Sequence, residues 1–121
     1  MKCESLEVWQ RSTTLCIEIY RYFDACADYS FKDQITRSAL SVPSNIAEGL
    51  ERISDKEKAR FLEIAKASAS ELATQIYIGI AISRITPEVG EQWRLEVKEI
   101  AAMLGGFIKW LNTQQGRKIG K

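Results

Sequence analysis

Apolar residues recur at intervals of three and four along most of the chain, the spacing of helices that bury one side. Leu6, Trp9, Thr13, Cys16, Tyr20, Phe23 and Ala27 form one such stripe, and Leu15, Ile19, Tyr22 and Cys26 lie beside it. Together they predict a helix over about 6–27 with Ser5 as its N-cap. A second stripe, Phe31, Ile35, Ser38, Val42, Ile46 and Gly49, predicts a helix over about 31–52. Pro43 lies inside it, removes the donor for the carbonyl of Ala39 and clashes with that carbonyl, so a kink is expected there.

The run Ser54-Asp55-Lys56-Glu57 has the spacing of a capping box and opens a third helix, expected to reach Arg84. Phe61, Ala65, Leu72, Ile76 and Ile80 make one face; Ile64, Tyr77, Ile78 and Ile82 fall elsewhere on the wheel. Thr86-Pro87-Glu88 combines a threonine cap, a first-turn proline and an acid near the positive helix end, all start signals for a fourth helix. Val89, Trp93, Val97, Ile100, Leu104, Phe107 and Leu111 form its stripe, and the tail beyond Asn112 is expected to fray.

Four long helices with short connections predict one all-α domain, an up-down-up-down antiparallel four-helix bundle with a kinked second helix. A bundle helix needs one apolar stripe, yet the first and third helices carry two. In a chain of 121 residues nothing else is left to cover the excess, which predicts a homo-oligomer.

Composition removes function classes. The chain has no histidine, which takes away the usual neutral-pH acid/base and the commonest metal ligand. Pairs such as Glu48/Glu51, Glu88/Glu91 and Glu96/Glu99 lack the imidazoles of a di-iron site. No strand-linked glycine-rich phosphate loop is present. The expectation is a protein with no enzyme activity, no cofactor and no metal. Cys3, Cys16 and Cys26 are odd in number and form no C-x-x-C pair, which suits free thiols in a reducing cytoplasm. The N-terminal segment lacks the apolar run of a signal peptide, and no uncharged stretch is long enough for a membrane span. Net charge is +1, far from that of a strongly cationic nucleic-acid binder. The nucleic-acid candidates are therefore local: Arg52, Lys56, Lys58 and Arg60 around the second interhelix turn, and Arg117, Lys118 and Lys121 in the tail. Asp55 and Glu57 dilute the first group.

The run Arg37-Ser38-Ala39-Leu40-Ser41-Val42-Pro43-Ser44-Asn45-Ile46-Ala47-Glu48-Gly49 resembles the signature of the 23S ribosomal RNA intervening-sequence protein family. So do Phe61-Leu62-x-Ile64-Ala65 with Ser68, Glu71, Leu72, Thr74 and Gln75, the opening Leu6-x-Val8-Trp9-Gln10, and the closing Met103-Leu104 with Ile108 and Leu111. Ala67 and Gly105 depart from the residues frequent in that family, glycine and asparagine. The resemblance implies a bacterial four-helix bundle that assembles as a homopentamer. It also implies genes inside ribosomal RNA intervening sequences or stand-alone genes of unknown role. A sister branch, the accessory variability protein of diversity-generating retroelements, associates with a reverse transcriptase and with nucleic acid.

The motif residues Arg37, Ser41, Pro43, Asn45, Glu48, Gly49, Ser68, Glu71 and Gln75 are read as structural. Gly49 permits close helix approach, and Asn45 bonds a freed carbonyl or the facing helix. A buried polar network joining Arg37, Asn45, Glu48, Glu71 and Gln75 is expected to fix helix pairing. Glu48 and Arg52 are also an i,i+4 pair. Two functions are expected: an oligomeric protein that binds RNA or DNA weakly through repeated patches, which the resemblance implies more than the charges do, or a scaffold for a protein partner, for which the resemblance suggests a reverse transcriptase.

Overall fold

The computed structural model describes residues 3–119, with side chains over 3–114. It has four α-helices and, among the described residues, no strand: α1 Glu7–Tyr22, α2 Tyr29–Leu50, α3 Asp55–Ala81 and α4 Pro87–Ile119. A short 3-10 turn, Cys3–Ser5, precedes them. Each helix packs on its neighbours in sequence, and α1 also meets α4, so the four surround one core. Ile19, Ile35, Ile46, Leu62, Leu72, Ile76, Ile100 and Leu104 are almost completely enclosed there.

The ends of the helices show where local chemistry decides. α3 starts where its capping box predicts: the Ser54 hydroxyl accepts from the Glu57 N–H at 3.1 Å. α4 starts at Pro87, with the Thr86 hydroxyl accepting from the Val89 N–H at 3.3 Å. α2 starts two residues earlier than its stripe suggests, because the Asp28 carboxylate accepts from the Phe31 N–H at 3.2 Å and caps it. Ser5 does not cap α1; Leu6 holds the cap position and supplies no side-chain bond. α1 ends at Tyr22, not near Ala27, since the backbone closes a turn there in which Cys26 N–H bonds the Phe23 carbonyl. α3 ends at Ala81, before Arg84: Ser83 takes φ 61°, and the N–H groups of Arg84 and Ile85 both turn back to the Gly79 carbonyl. Gly79 makes room for the packing around this turn: a Cβ there would lie 2.5 Å from Ile85 Cδ1 and 2.9 Å from Phe31 Cζ, so those side chains would have to shift. The α4 backbone is helical past Asn112, to Ile119.

The two stripes of α1 are the flanks of one buried face. Its centre is Val8, Ser12, Leu15, Cys16 and Ile19, while Tyr20 is exposed. On α3 the surplus is real: Ile64, Tyr77, Ile78 and Ile82 all face solvent. α2 is helical through Pro43. Among the described residues, no helix is long and apolar enough to cross a membrane.

Candidate functional site

The motif of α2 and the matching polar residues of α3 meet along one seam. Ser38 donates to the Glu71 carboxylate at 3.1 Å. Ser41 and Ser68 share a hydrogen bond of 2.7 Å, and the Asn45 amide donates to both the hydroxyl (3.0 Å) and the carbonyl (2.9 Å) of Ser41. Asn45 thus serves the Ser41 carbonyl, not that of Ala39, which the proline leaves without its donor. Residue numbers rise on α2 as they fall on α3 through these pairs. At the bottom of the seam a Cβ on Gly49 would lie 3.0 Å from Phe61 Cβ and 3.2 Å from the Lys58 carbonyl, so glycine sets the interhelix distance.

The expected single buried network does not form. Arg37 and Glu71 are exposed, and Glu48 is exposed and pairs with Arg52. The Gln75 carbonyl oxygen is buried with no partner. The physical reason is position: Arg37, Glu48 and Glu71 lie on the solvent side of the α2–α3 seam, where water competes for them, and only the serines bond across it, Ser38 to Glu71 and Ser41 to Ser68, while Asn45 bonds within α2.

The cationic candidates of the second turn are brought together but mostly occupied. The Arg52 guanidinium lies 4.6 Å from the Phe61 ring centroid and pairs with Glu48. The Lys58 ammonium donates to the Arg52 carbonyl. Arg60 also lies over Phe61, at 5.5 Å, and stands 4.0 Å from Glu57. Lys56 is exposed. Of the tail candidates, the side chains of Arg117 and Lys118, and Lys121 as a whole, lie outside the described residues. Between them, the cations of the turn do more to brace the loop than to offer free charge. The loop they brace presents Ile53, which is 99% exposed. Nothing in the periodicity marks that residue, because it lies between helices.

Sequence reasoning also missed the α1–α4 seam. Arg11 makes two hydrogen bonds to the Glu96 carboxylate, at 2.9 and 2.7 Å, and stands 3.5 Å from Glu7. The bond to Glu96 raises the Arg11 pKa, and the bond from Arg11 holds Glu96 below the usual carboxylate range. Glu7 and Arg11 show the i,i+4 spacing, but a partner 85 residues away has no local signal. Below this pair the seam opens into an apolar groove of about 370 Å³ lined by Leu6, Val8, Met103, Phe107 and Trp110, with Glu7 at its edge.

Among the described residues, no three Cys, Asp or Glu side chains are grouped to hold a metal ion. Cys3, Cys16 and Cys26 are free, and burial pushes the Cys16 thiol up, away from the reactive thiolate.

The model of the 23S rRNA-intervening sequence protein family matches residues 4–106. No curated protein matches the chain. Among solved structures, a 1.70 Å crystal structure from Bacteroides thetaiotaomicron, of a protein with unknown function from the S23 ribosomal protein family, is 26% identical with a TM-score of 0.80. The match covers 84% of this chain and 98% of that one. A family model that spans both halves of the α2–α3 seam, together with this shared four-helix fold, leads to one conclusion: the chain belongs to the 23S rRNA-intervening sequence protein family.

Proposed function

We propose that this chain is a non-enzymatic, self-associating up-down-up-down antiparallel helical bundle that acts through the surface of its assembled form. The observation that carries this reading is the run of exposed isoleucines on α3, Ile64, Ile78 and Ile82, with Tyr77 72% exposed nearby. Single exposed apolar residues are ordinary; several along one helix mark a contact surface. The family implies a homopentamer. Light scattering and sedimentation at micromolar concentration test the reading: the expected particle is a multiple of 13.7 kDa, and a monomer throughout that range overturns it.

A second reading, weak contact with RNA or DNA, rests on Lys56 and Arg60, whose charged ends reach solvent. One copy offers little, and repetition around an oligomer multiplies it. Fluorescence polarisation with a structured RNA should show binding that falls steeply with salt. A protein partner retained after nuclease treatment, with no RNA or DNA binding, supports the scaffold role instead.

A further inference from the structure

We propose that Ile53 of one copy seats in the α1–α4 groove of the next, so that copies join head to tail; this rests on the self-association proposed above and names its contact. Ile53 is bare, yet its loop is held. Arg52 is fixed by Glu48, by the Phe61 ring and through its carbonyl by Lys58, while Ser54 caps α3. A braced apolar tip loses little freedom on docking, which favours association. The groove is its counterpart, an open apolar slot lined by buried Val8 together with Phe107 and Trp110.

The two features lie on opposite sides of the molecule. α1 packs on α2 and α4 but not on α3, so the α1–α4 and α2–α3 seams face away from each other. They also lie at one end, because Cys3 and Glu4 line a groove with Leu50 and Glu51, next to the Ile53 loop. A knob and a slot on opposite sides form a heterologous contact, which closes into a ring when the rotation permits. The flanking charges, though mixed around Ile53, offer one complementary pairing, exposed Lys56 and Arg60 against Glu7. Lys56 and Arg60 follow Ile53 on α3 at successive turns, with exposed Ile64 one turn further, and Glu7, whose side chain is 69% exposed, borders the groove. Nucleic acid fits this pair of surfaces less well, because the groove is apolar and Glu51 and Glu57 flank the cations.

The full chain tests this in three forms: unchanged, Ile53→Glu and Trp110→Glu. Both changed residues are more than half exposed, so each variant should keep its helical circular dichroism. Each alone should associate at least about tenfold more weakly and sediment as a 13.7 kDa monomer. Mixed together they should form a two-chain particle and nothing larger, since one intact knob and one intact groove remain. An Ile53→Glu chain with the unchanged oligomer mass, or a mixture that stays monomeric, overturns the contact while leaving self-association standing. A monomeric unchanged chain removes both.

Discussion

The two ends of this molecule are finished differently. At the end formed by the α1–α2 and α3–α4 connections, Phe23 packs edge-on to Tyr22 and Phe31, at centroid distances of 5.1 and 5.8 Å, and Tyr22 packs edge-on to Trp93 at 5.1 Å. The two loops are tied across that end: Arg84 bonds Asp28 at 2.9 Å, and the Thr86 N–H donates to the Tyr22 hydroxyl at 3.0 Å. The bond from Phe31 N–H and the Arg84 guanidinium hold the Asp28 carboxyl below its ordinary pKa. At the other end an isoleucine projects into solvent and a groove stays open. The first end is sealed by aromatic packing and by bonds between its loops, and the second stays open around Ile53 and the groove. The sealed end is expected to anchor the fold, and the open end is where the contact proposed above would form.

That contrast breaks first at Phe23. It is 1% exposed at the centre of the aromatic cluster, so Phe23→Ala should cost about 3–5 kcal/mol, the range for deleting a buried aromatic ring. Total stability of a domain this size is about 5–15 kcal/mol, so the loss should be plain in a urea titration. A cost below about 1 kcal/mol would show that the sealed end is not the anchor of the fold.

Phe23 also shows what the sequence reveals and what it conceals. Its place on an apolar stripe marks it as core, and it is core, but in the C-cap position of α1 and not inside a longer helix. Periodicity runs on into a loop whenever loop residues are apolar too, so it finds buried positions better than helix ends. Local chemistry is more readable: Ser54 and Thr86 cap the helices they precede, as their neighbours suggest. The α2–α3 seam is legible in part, because Ser41, Gly49 and Ser68 act between the helices as their small size and polarity imply, while Asn45 bonds Ser41 within α2. Arg37 and Gln75 are not legible, since whether a polar residue is central or marginal depends on the rotation of the helix, which spacing fixes only to a fraction of a turn. Ile53, the groove and the Arg11–Glu96 pair need the tertiary arrangement, because their partners are remote in sequence.

The Arg11–Glu96 pair marks the boundary between the two halves of the α1–α4 seam, and acid should sharpen it. The folded pKa of Glu96 is lowered, chiefly by the hydrogen bond from Arg11. Its stabilising contribution is therefore fully present above the unfolded value, about 4.3, and is lost as pH falls from there through the lower folded value. Glu96→Gln should reduce stability by about 1 kcal/mol at pH 7 and flatten the acid limb of the stability curve. Amide exchange should rise over the first turns of α1, below the pair, and hold steady near Tyr22, above it. An unchanged acid limb would mean that the pair does not join α1 to α4 in solution.

The smallest expected effect is the most discriminating for the open end. Ile53 makes no core contact and is fully solvated, so Ile53→Thr should change the stability of the dilute monomer by no more than about 0.5 kcal/mol. Its loop is braced by the neighbours Arg52, Lys58 and Ser54, none of which the substitution touches. Natural surfaces tolerate a lone isoleucine, so retention of the fold is expected whatever the residue does. The informative comparison is between dilute and concentrated protein. If the open end is a contact surface, apparent stability of the unchanged chain rises with concentration, because association binds the folded state alone. That rise should shrink in Ile53→Thr. A cost above about 1 kcal/mol in dilute solution would instead make Ile53 a structural residue of the turn, and the difference between the two ends would then be one of degree.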